Sequence, residues 1–595
     1  MFWVRKLIIF FPFLVVICVE SILRVKDLEF RYRIDQPKIL KGINLEIHEG
    51  EFVGVVGPTG GGKTTLCLTF NGSIPRIIKG ILKGTVFING FNIHKHSIKE
   101  ISSFLGMVFQ DPNYQLFCID VESELAFGPE NLGLSRDEIK HRIEESAKVV
   151  GISGLMSRFP GELSAGEKQR VAIASVLSMS PKVLVLDEPT SNLDPIGSFK
   201  IFRIVRALKK RKSTIIMISH RLGFLAEFAD RIIVIKDGHL TFDGKPVDII
   251  QKEFDDPEQF INPPQICQIF HELKRRGYSF SKCPTKFKEA LAILRKYLSG
   301  KSLRPANYAK IYNESYNDLQ PIIKVRKLSH IFNNDIIALN NVDLDIYPGE
   351  FLAIIGKNGS GKTTLAKHLN GLLRPSSGVV FIKGRNISDM PLHEIAKEVG
   401  FIFQNPDNQI FESTVRKEIE FGLKNLGLDD DLIRQRVDRI LKDLGIYDLA
   451  ERHPMALSTG QRHRVAVASI LVMDPEIIIL DEPIAGQDYR GRREIINIIK
   501  KLNESGRTVI LISHDMELVG EYAKRVIVMN QGKIMLDGSP SDVFVHEKLL
   551  SKFGIAPPPV TRLALRLGKF NFPPHITQVS EFCNIFEKMV PKEDL

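Results

Sequence analysis

Two stretches of the chain alternate apolar and polar side chains, ILRVKDLEF from Ile22 and IIKVRKLSH from Ile322, the pattern of a strand with one buried face. Other runs are apolar without a break. FVGVV (Phe52 to Val56), VLVL (Val183 to Leu186) and IIIL (Ile477 to Leu480) predict short strands buried on both faces, as in a parallel sheet. TTLCLTF after the first of these and VAIASVL from Val171 carry the spacing of helices. Farther along, Pro263 and Pro264 open a stretch that places Ile266, Ile269, Phe270 and Leu273 on one helical face. Pro557 and Pro558 precede the matching set Val560, Leu563, Ala564 and Leu567.

These elements recur in the same order. GPTGGGKTT at Gly57 is answered by GKNGSGKTT at Gly356, and LSAGEKQR at Leu163 by LSTGQRHR at Leu457. VLVLDEPT at Val183 is answered by IIILDEPI at Ile477, and the ISH ending at His220 by the ISH ending at His514; the last three pairs share an offset of 294 residues. Ordered motifs at one offset mean a duplicated domain. The expected division is an apolar segment over 1–20, α/β domains over 21–250 and 321–553, a helical extension and linker over 251–320, and a second helical extension over 554–595.

The first segment stands apart. Leu7 to Val19 is a 13-residue apolar run behind Arg5 and Lys6. It is shorter than the ~20 residues of a spanning helix, and Pro12 interrupts it. No small-residue cleavage site follows it. Two readings stay open, a mis-assigned start and a short anchor on a membrane surface. No other segment is long and apolar enough to span a bilayer, so a transport path would lie in other chains.

Composition changes little. The chain has 595 residues, 44% hydrophobic and 25% charged, which excludes general disorder. Its net charge of +11 is spread along the length and suits an anionic partner or a solvated surface equally. Six cysteines without C-x-x-C spacing read as reduced thiols.

The chemistry lies in the repeated motifs. Gly57 to Thr64 fits G-x-x-x-x-G-K-[ST] between a predicted strand and a predicted helix, the context in which backbone N–H groups cradle phosphates. The first cradle comprises Gly57, Pro58, Thr59, Gly60, Gly61, Gly62, Lys63, Thr64 and Thr65. The second comprises Gly356, Lys357, Asn358, Gly359, Ser360, Gly361, Lys362, Thr363 and Thr364. Lys63 and Lys362 are expected to reach the outer phosphates, and Thr64 and Thr363 to coordinate Mg²⁺. The buried strands end in Asp187-Glu188 and Asp481-Glu482: the aspartate suits Mg²⁺ and its waters, and the glutamate suits a general base. Ser164-Ala165-Gly166 sits at a predicted helix start and is by itself no more than an N-cap.

Together these motifs resemble the ATP-binding cassette (ABC) superfamily. The resemblance implies two tandem ABC nucleotide-binding domains, each a P-loop α/β core with an antiparallel β subdomain and a helical subdomain, folded into an intramolecular dimer that hydrolyses ATP with Mg²⁺. The family's signature motif closes on nucleotide held by the opposite half. That pairs Lys63 and Glu188 with Ser458, Gly460 and Gln461, and Lys362 and Glu482 with Ser164, Gly166 and Glu167. Gln110 and Gln404 match the glutamine that senses Mg²⁺ and links to a membrane partner. His220 and His514 match the switch histidine, and Tyr32 and Phe332 fall where a ring stacks on adenine. Asp194 and Asp488 end the loop that crosses the interface. The chain departs from the pattern at Ala165 and Thr459, which replace a glycine, and at Glu167, which replaces a glutamine. A carboxylate near the γ-phosphate predicts a slower second site unless it is offset.

FQDPNYQLF (Phe109 to Phe117) continuing into ELAFGPENLGLS, and FQNPDNQIF (Phe403 to Phe411) continuing into EIEFGLKNLGLD, are similar to the ATPases of energy-coupling-factor importers. The resemblance runs from Ile22 onward. It implies a peripheral ATPase on the cytoplasmic side of the cell membrane, gripping a transmembrane coupling subunit that engages a small substrate-binding membrane subunit for a vitamin or transition-metal ion. The alternative is a soluble tandem cassette that binds ribosomes or RNA. Such proteins carry a long, highly charged linker, whereas residues 251–321 hold 12 Lys/Arg and 8 Asp/Glu and begin with an amphipathic stretch. A nucleic-acid partner is therefore not expected. A DNA-repair ATPase would need coiled-coil insertions, and no heptad run is present.

Overall fold

The computed structural model describes residues 21–191, 193–256, 261–299, 301, 303–304, 319–332, 336–484 and 487–590. The apolar run at the N-terminus, Asn192, Ala485 and Gly486 lie outside them.

Each half contains two sheets. The alternating segment forms the strand Ser21–Arg31, flanked by Leu40–His48 and Ile81–Ile88 in an antiparallel sheet that Phe91–Asn92 completes. The buried segments form the centre of a six-stranded sheet in the order His239–Gly244, Arg231–Lys236, Phe52–Val56, Thr214–Ile218, Val183–Asp187, Leu105–Val108. All its neighbours are parallel except the first pair. The second half repeats both sheets with the same pairings.

Every residue of the strands Phe52–Val56, Val183–Asp187 and Thr214–Ile218 is buried, because both faces are covered. One face packs against the antiparallel sheet through Leu23, Val25, Ile43, Val53 and Val185. The other packs against helices that carry Leu125, Ile143, Val171 and Ile204. The functional loops emerge at the C-terminal ends of these parallel strands, where ligands bind in open α/β sheets.

The proline-led tails become the helices Gln265–Arg275 and Pro559–Arg566, each followed by another, Phe287–Ser299 and Val579–Met589. The four share one core. Ile269, Phe270, Leu294, Leu563, Phe582 and Phe586 are buried together, and the Tyr278 hydroxyl donates to the Val590 carbonyl at 2.6 Å. Residues about 300 positions apart thus tie the halves together. Among the described residues no helix is long and apolar enough to cross a membrane.

Candidate functional site

The first glycine loop connects a buried strand to the helix Lys63–Phe70. A Cβ on Gly57 would run into the Ile235 carbonyl, so only glycine fits this close approach. Lys63 turns back into the loop, its Nζ donating to the carbonyls of Gly57 at 2.9 Å and Pro58 at 2.8 Å. Lys362 does the same with Gly356 at 2.9 Å and Lys357 at 3.0 Å. Burial pulls the Lys63 ammonium below the ordinary lysine value, while Glu188, Asp187 and Asp488 of the second half act to keep its proton.

The Thr64 hydroxyl donates to Asp187 Oδ2 at 2.8 Å, and that of Thr363 to Asp481 Oδ2 at 2.7 Å. Asp187 Oδ1 is buried with no protein partner. A hydroxyl beside a carboxylate with a spare oxygen is a hard-oxygen donor set, and it fits Mg²⁺.

Glu188 and Glu482 follow at φ of +44° and +50°, a left-handed conformation that costs energy for a side chain with a Cβ. Each is held by its own N–H, which bonds the carbonyl of Ile218 at 3.1 Å or Ile512 at 3.0 Å in the adjacent strand. Glu188 Oε1 lies 3.4 Å from His220 Nε2, and Glu482 Oε1 lies 3.5 Å from His514 Nε2. Burial pushes the Glu188 carboxyl up to about 8 against the pull of Lys63, and Glu482 likewise to about 8. Burial also lowers His220 to about 4 and His514 to about 3, with Lys63 and Lys362 adding repulsion. Burial thus favours the neutral form of both partners in each pair, while Lys63 and Lys362 pull the carboxyls back toward the ionised form that a general base requires.

Gln110 is exposed at the edge of a cavity that Ala165, Gln169, Glu188, Ser191 and Leu193 also line. Gln404 is exposed at the matching position. Tyr32 Oη lies 3.2 Å from Thr65 Oγ1 on the glycine-loop helix, with the ring half-exposed. Phe332 is similarly exposed and packs edge-on against His330 at 4.5 Å.

Ser164 and Ser458 cap the helices Ala165–Leu177 and Thr459–Leu471. The caps differ. The Glu167 carboxylate takes both the Ser164 N–H at 3.0 Å and its hydroxyl at 2.7 Å, and these bonds keep it ionised below the usual glutamate range. The Ser458 hydroxyl instead accepts from the Gln461 N–H at 3.3 Å, so its proton is left for a ligand. Gly166 and Gly460 lie two residues beyond these caps in the first helical turn.

The halves meet at these loops. Asp488 Oδ2 accepts the Thr59 N–H at 2.9 Å, and Asp194 Oδ2 accepts that of Asn358 at 3.2 Å. Within the second half, His514 Nε2 lies 2.9 Å from Asn358 Oδ1 of the same glycine loop. One group was not anticipated: Arg221, directly after His220, whose guanidinium is supported by Asp515 and Glu482 of the second half and by Glu188 of its own. Its counterpart by the 294-residue offset is Asp515, which pairs with Arg492 at 2.6 Å. That offset exposes the Arg/Asp exchange in the sequence itself.

Comparison with known proteins identifies the family. The ABC transporter family model matches residues 40–191 and 339–485. A protein of Methanosarcina mazei named as an ABC transporter ATP-binding protein is 42% identical over 94% of this chain and 96% of its own. One of the same name from Caldanaerobacter subterraneus subsp. tengcongensis is 40% identical over 92% and 96%. Among solved structures, cbiO1 from Clostridium perfringens, described as part of the ABC transporter complex cbiONQ, is 38% identical with a TM-score of 0.36, covering 39% of this chain and 94% of that one.

Proposed function

Since the chain belongs to the ABC transporter family of ATP-binding proteins and is an ATPase, we propose that it powers an energy-coupling-factor importer for a vitamin or transition-metal ion. In this reading it sits on the cytoplasmic face of the cell membrane. It grips a transmembrane coupling subunit, which engages a small substrate-binding membrane subunit. The ATPase domains span 21–250 and 321–553, and each ATP lies between the glycine loop of one half and the signature serine of the other.

Thr64 with Asp187, and Thr363 with Asp481, would hold Mg²⁺, with Gln110 and Gln404 at its outer side. The ion would supply charge neutralisation at the phosphates. Lys63 and Lys362 exchange their bonds to loop carbonyls for bonds to phosphate oxygens. Tyr32 and Phe332 offer ring faces to adenine. Glu188 and Glu482 orient the attacking water and accept its proton, and His220 and His514 hold the γ-phosphate side of the site.

The observation that carries the transport reading is a pair of exposed aromatic faces just beyond Gln110 and Gln404. Phe117 packs edge-on with Phe127, and Phe411 with Phe421, both at 4.8 Å, and all four rings are open to solvent. Exposed aromatics beside a nucleotide-sensing loop suit a protein contact that responds to ATP.

The test is purification of the tagged chain from solubilised native membranes. Recovery of one multi-spanning protein with small membrane proteins, and ATPase activity that rises with transported solute, is the expected result. Recovery of ribosomal proteins alone would overturn the transport reading.

A further inference from the structure

The two ring platforms, Tyr32 and Phe332, are anchored differently. Tyr32 packs edge-on against the buried ring of Phe30 at 4.9 Å, and its own hydroxyl reaches Thr65 on the glycine-loop helix. Phe332 has no hydroxyl. Its edge-on neighbour is His330, where the first half has Phe30, and His330 Nδ1 lies 3.2 Å from His368 Nε2. His368 stands on the helix Lys362–Leu369 where the first half has Thr69, whose hydroxyl closes on its own helix at the Leu66 carbonyl, 2.6 Å away. Both histidines are buried, and the chemistry described above uses neither.

The partners fix where the protons sit. His368 Nδ1 lies 2.7 Å from the Thr364 carbonyl, and His330 Nδ1 lies 3.1 Å from the Arg374 carbonyl. A carbonyl only accepts, so both Nδ1 atoms carry hydrogen. His368 Nε2 is then a bare acceptor facing the His330 Nδ1–H, which it shares with the Arg374 carbonyl. A chain of contacts thus runs from Thr364, next to Thr363, through His368 and His330 to Phe332. A proton added to His368 sets two donors against each other, unless His330 gives up its bond to Arg374; either way one bond of the chain is lost. Burial, with His330 beside it, lowers His368 below the ordinary histidine value, so the chain is intact at neutral pH. Of the cations nearby, Arg374 turns its guanidinium to the Ser388 carbonyl at 2.7 Å, Lys367 acts on Asp481, and Lys362 is held by its loop carbonyls.

We propose that His368 and His330 are positioning residues of the second ATP site: through them the glycine-loop helix sets the Phe332 ring against adenine, and acid loosens ATP there more than at the first site. The proposal rests on the reading of Phe332 as an adenine platform. The first platform is tied by a phenyl ring and a hydroxyl, neither of which gains a proton as pH falls. The direction of the change is diagnostic. A histidinium that acted on the phosphates by charge alone would tighten ATP, whereas a broken chain weakens it.

Equilibrium binding of Mg-ATP to the full chain tests this, in a background of Glu188→Gln and Glu482→Gln that slows hydrolysis and takes both glutamates out of the titration. Adding Lys63→Ala empties the first site, so that binding reports the second; Lys362→Ala does the reverse. Between pH of about 7.5 and about 5.5 the dissociation constant of the second site is expected to rise about three- to tenfold more than that of the first, which controls for protonation of ATP itself. With His330→Phe and His368→Thr, the residues that the first half carries, the extra rise should vanish. Parallel curves at the two sites, a second site that tightens in acid, or an extra rise that survives both replacements would overturn the relay. Phe332→Ala checks the platform separately: binding at neutral pH should weaken severalfold. Unchanged affinity in that variant would overturn the adenine reading, and the relay with it.

Discussion

The Asp488 carboxylate serves two halves at once: Oδ1 takes the Gly491 N–H at 2.8 Å to cap its own helix, and Oδ2 takes the Thr59 N–H of the opposite glycine loop at 2.9 Å. Asp194 repeats this, bonding Gly197 at 2.7 Å and Asn358 at 3.2 Å. Replacing Asp488 by Ala removes both bonds. With the second site silenced by Glu482→Gln, Asp488→Ala should lower steady-state ATP hydrolysis by about tenfold, the effect of losing about 1.4 kcal/mol at the loop. An unchanged rate would mean that the contact plays no part in turnover.

Glu188→Gln with Glu482→Gln should leave ATP binding near its original level and reduce hydrolysis by about 10²-fold or more, the range expected when a general base is lost. Nucleotide retention on a filter, beside phosphate release, reads both quantities. Turnover at the original rate would remove the two glutamates from that role.

The unequal signature caps predict unequal sites. Glu167 holds the Ser164 hydroxyl and brings negative charge to the site that contains Lys362. With the first site silenced by Glu188→Gln, Glu167→Gln should raise turnover about two- to fivefold, and in the mirror experiment Gln461→Glu should lower it by a similar factor. A Glu167→Gln variant slower than its parent would contradict this account.

Joining of the halves through the extensions is tested at Tyr278, which is fully buried with its hydroxyl on the Val590 carbonyl. Tyr278→Phe leaves that carbonyl short of a partner and should cost about 1–2 kcal/mol. Amide hydrogen exchange over 265–299 and 559–590 should quicken by about tenfold while the ATPase cores keep their protection.

Legibility of this architecture from sequence followed distance along the chain. The glycine loops, the Asp-Glu strand ends and the serine caps are contiguous, so their spacing alone announces strand, loop and helix. Tyr32 and Phe332 became visible only through family resemblance, because nothing local marks a half-exposed ring as a stacking platform. Contacts between the halves were visible only through the same resemblance, which named Asp194 and Asp488 but not Arg221. Arg221 reads as an ordinary surface arginine until the second half brings Asp515 and Glu482 to it. The shared extension core was legible as two amphipathic helices, but not as one body, since each apolar face could have packed on its own domain. The ionised bond between Glu167 and Ser164 needed side-chain geometry that residue spacing does not contain.

The most direct test of shared sites is a double-mutant cycle between Lys63 and Ser458, in a chain with Glu482→Gln so that only the first site turns over. Lys63→Ala and Ser458→Ala should each depress ATP hydrolysis, and the double variant should be no slower than Lys63→Ala alone, because both residues serve one ATP. If the losses instead multiply as for independent sites, or if Ser458→Ala leaves this site untouched, the glycine loop of one half and the signature serine of the other do not act on the same nucleotide.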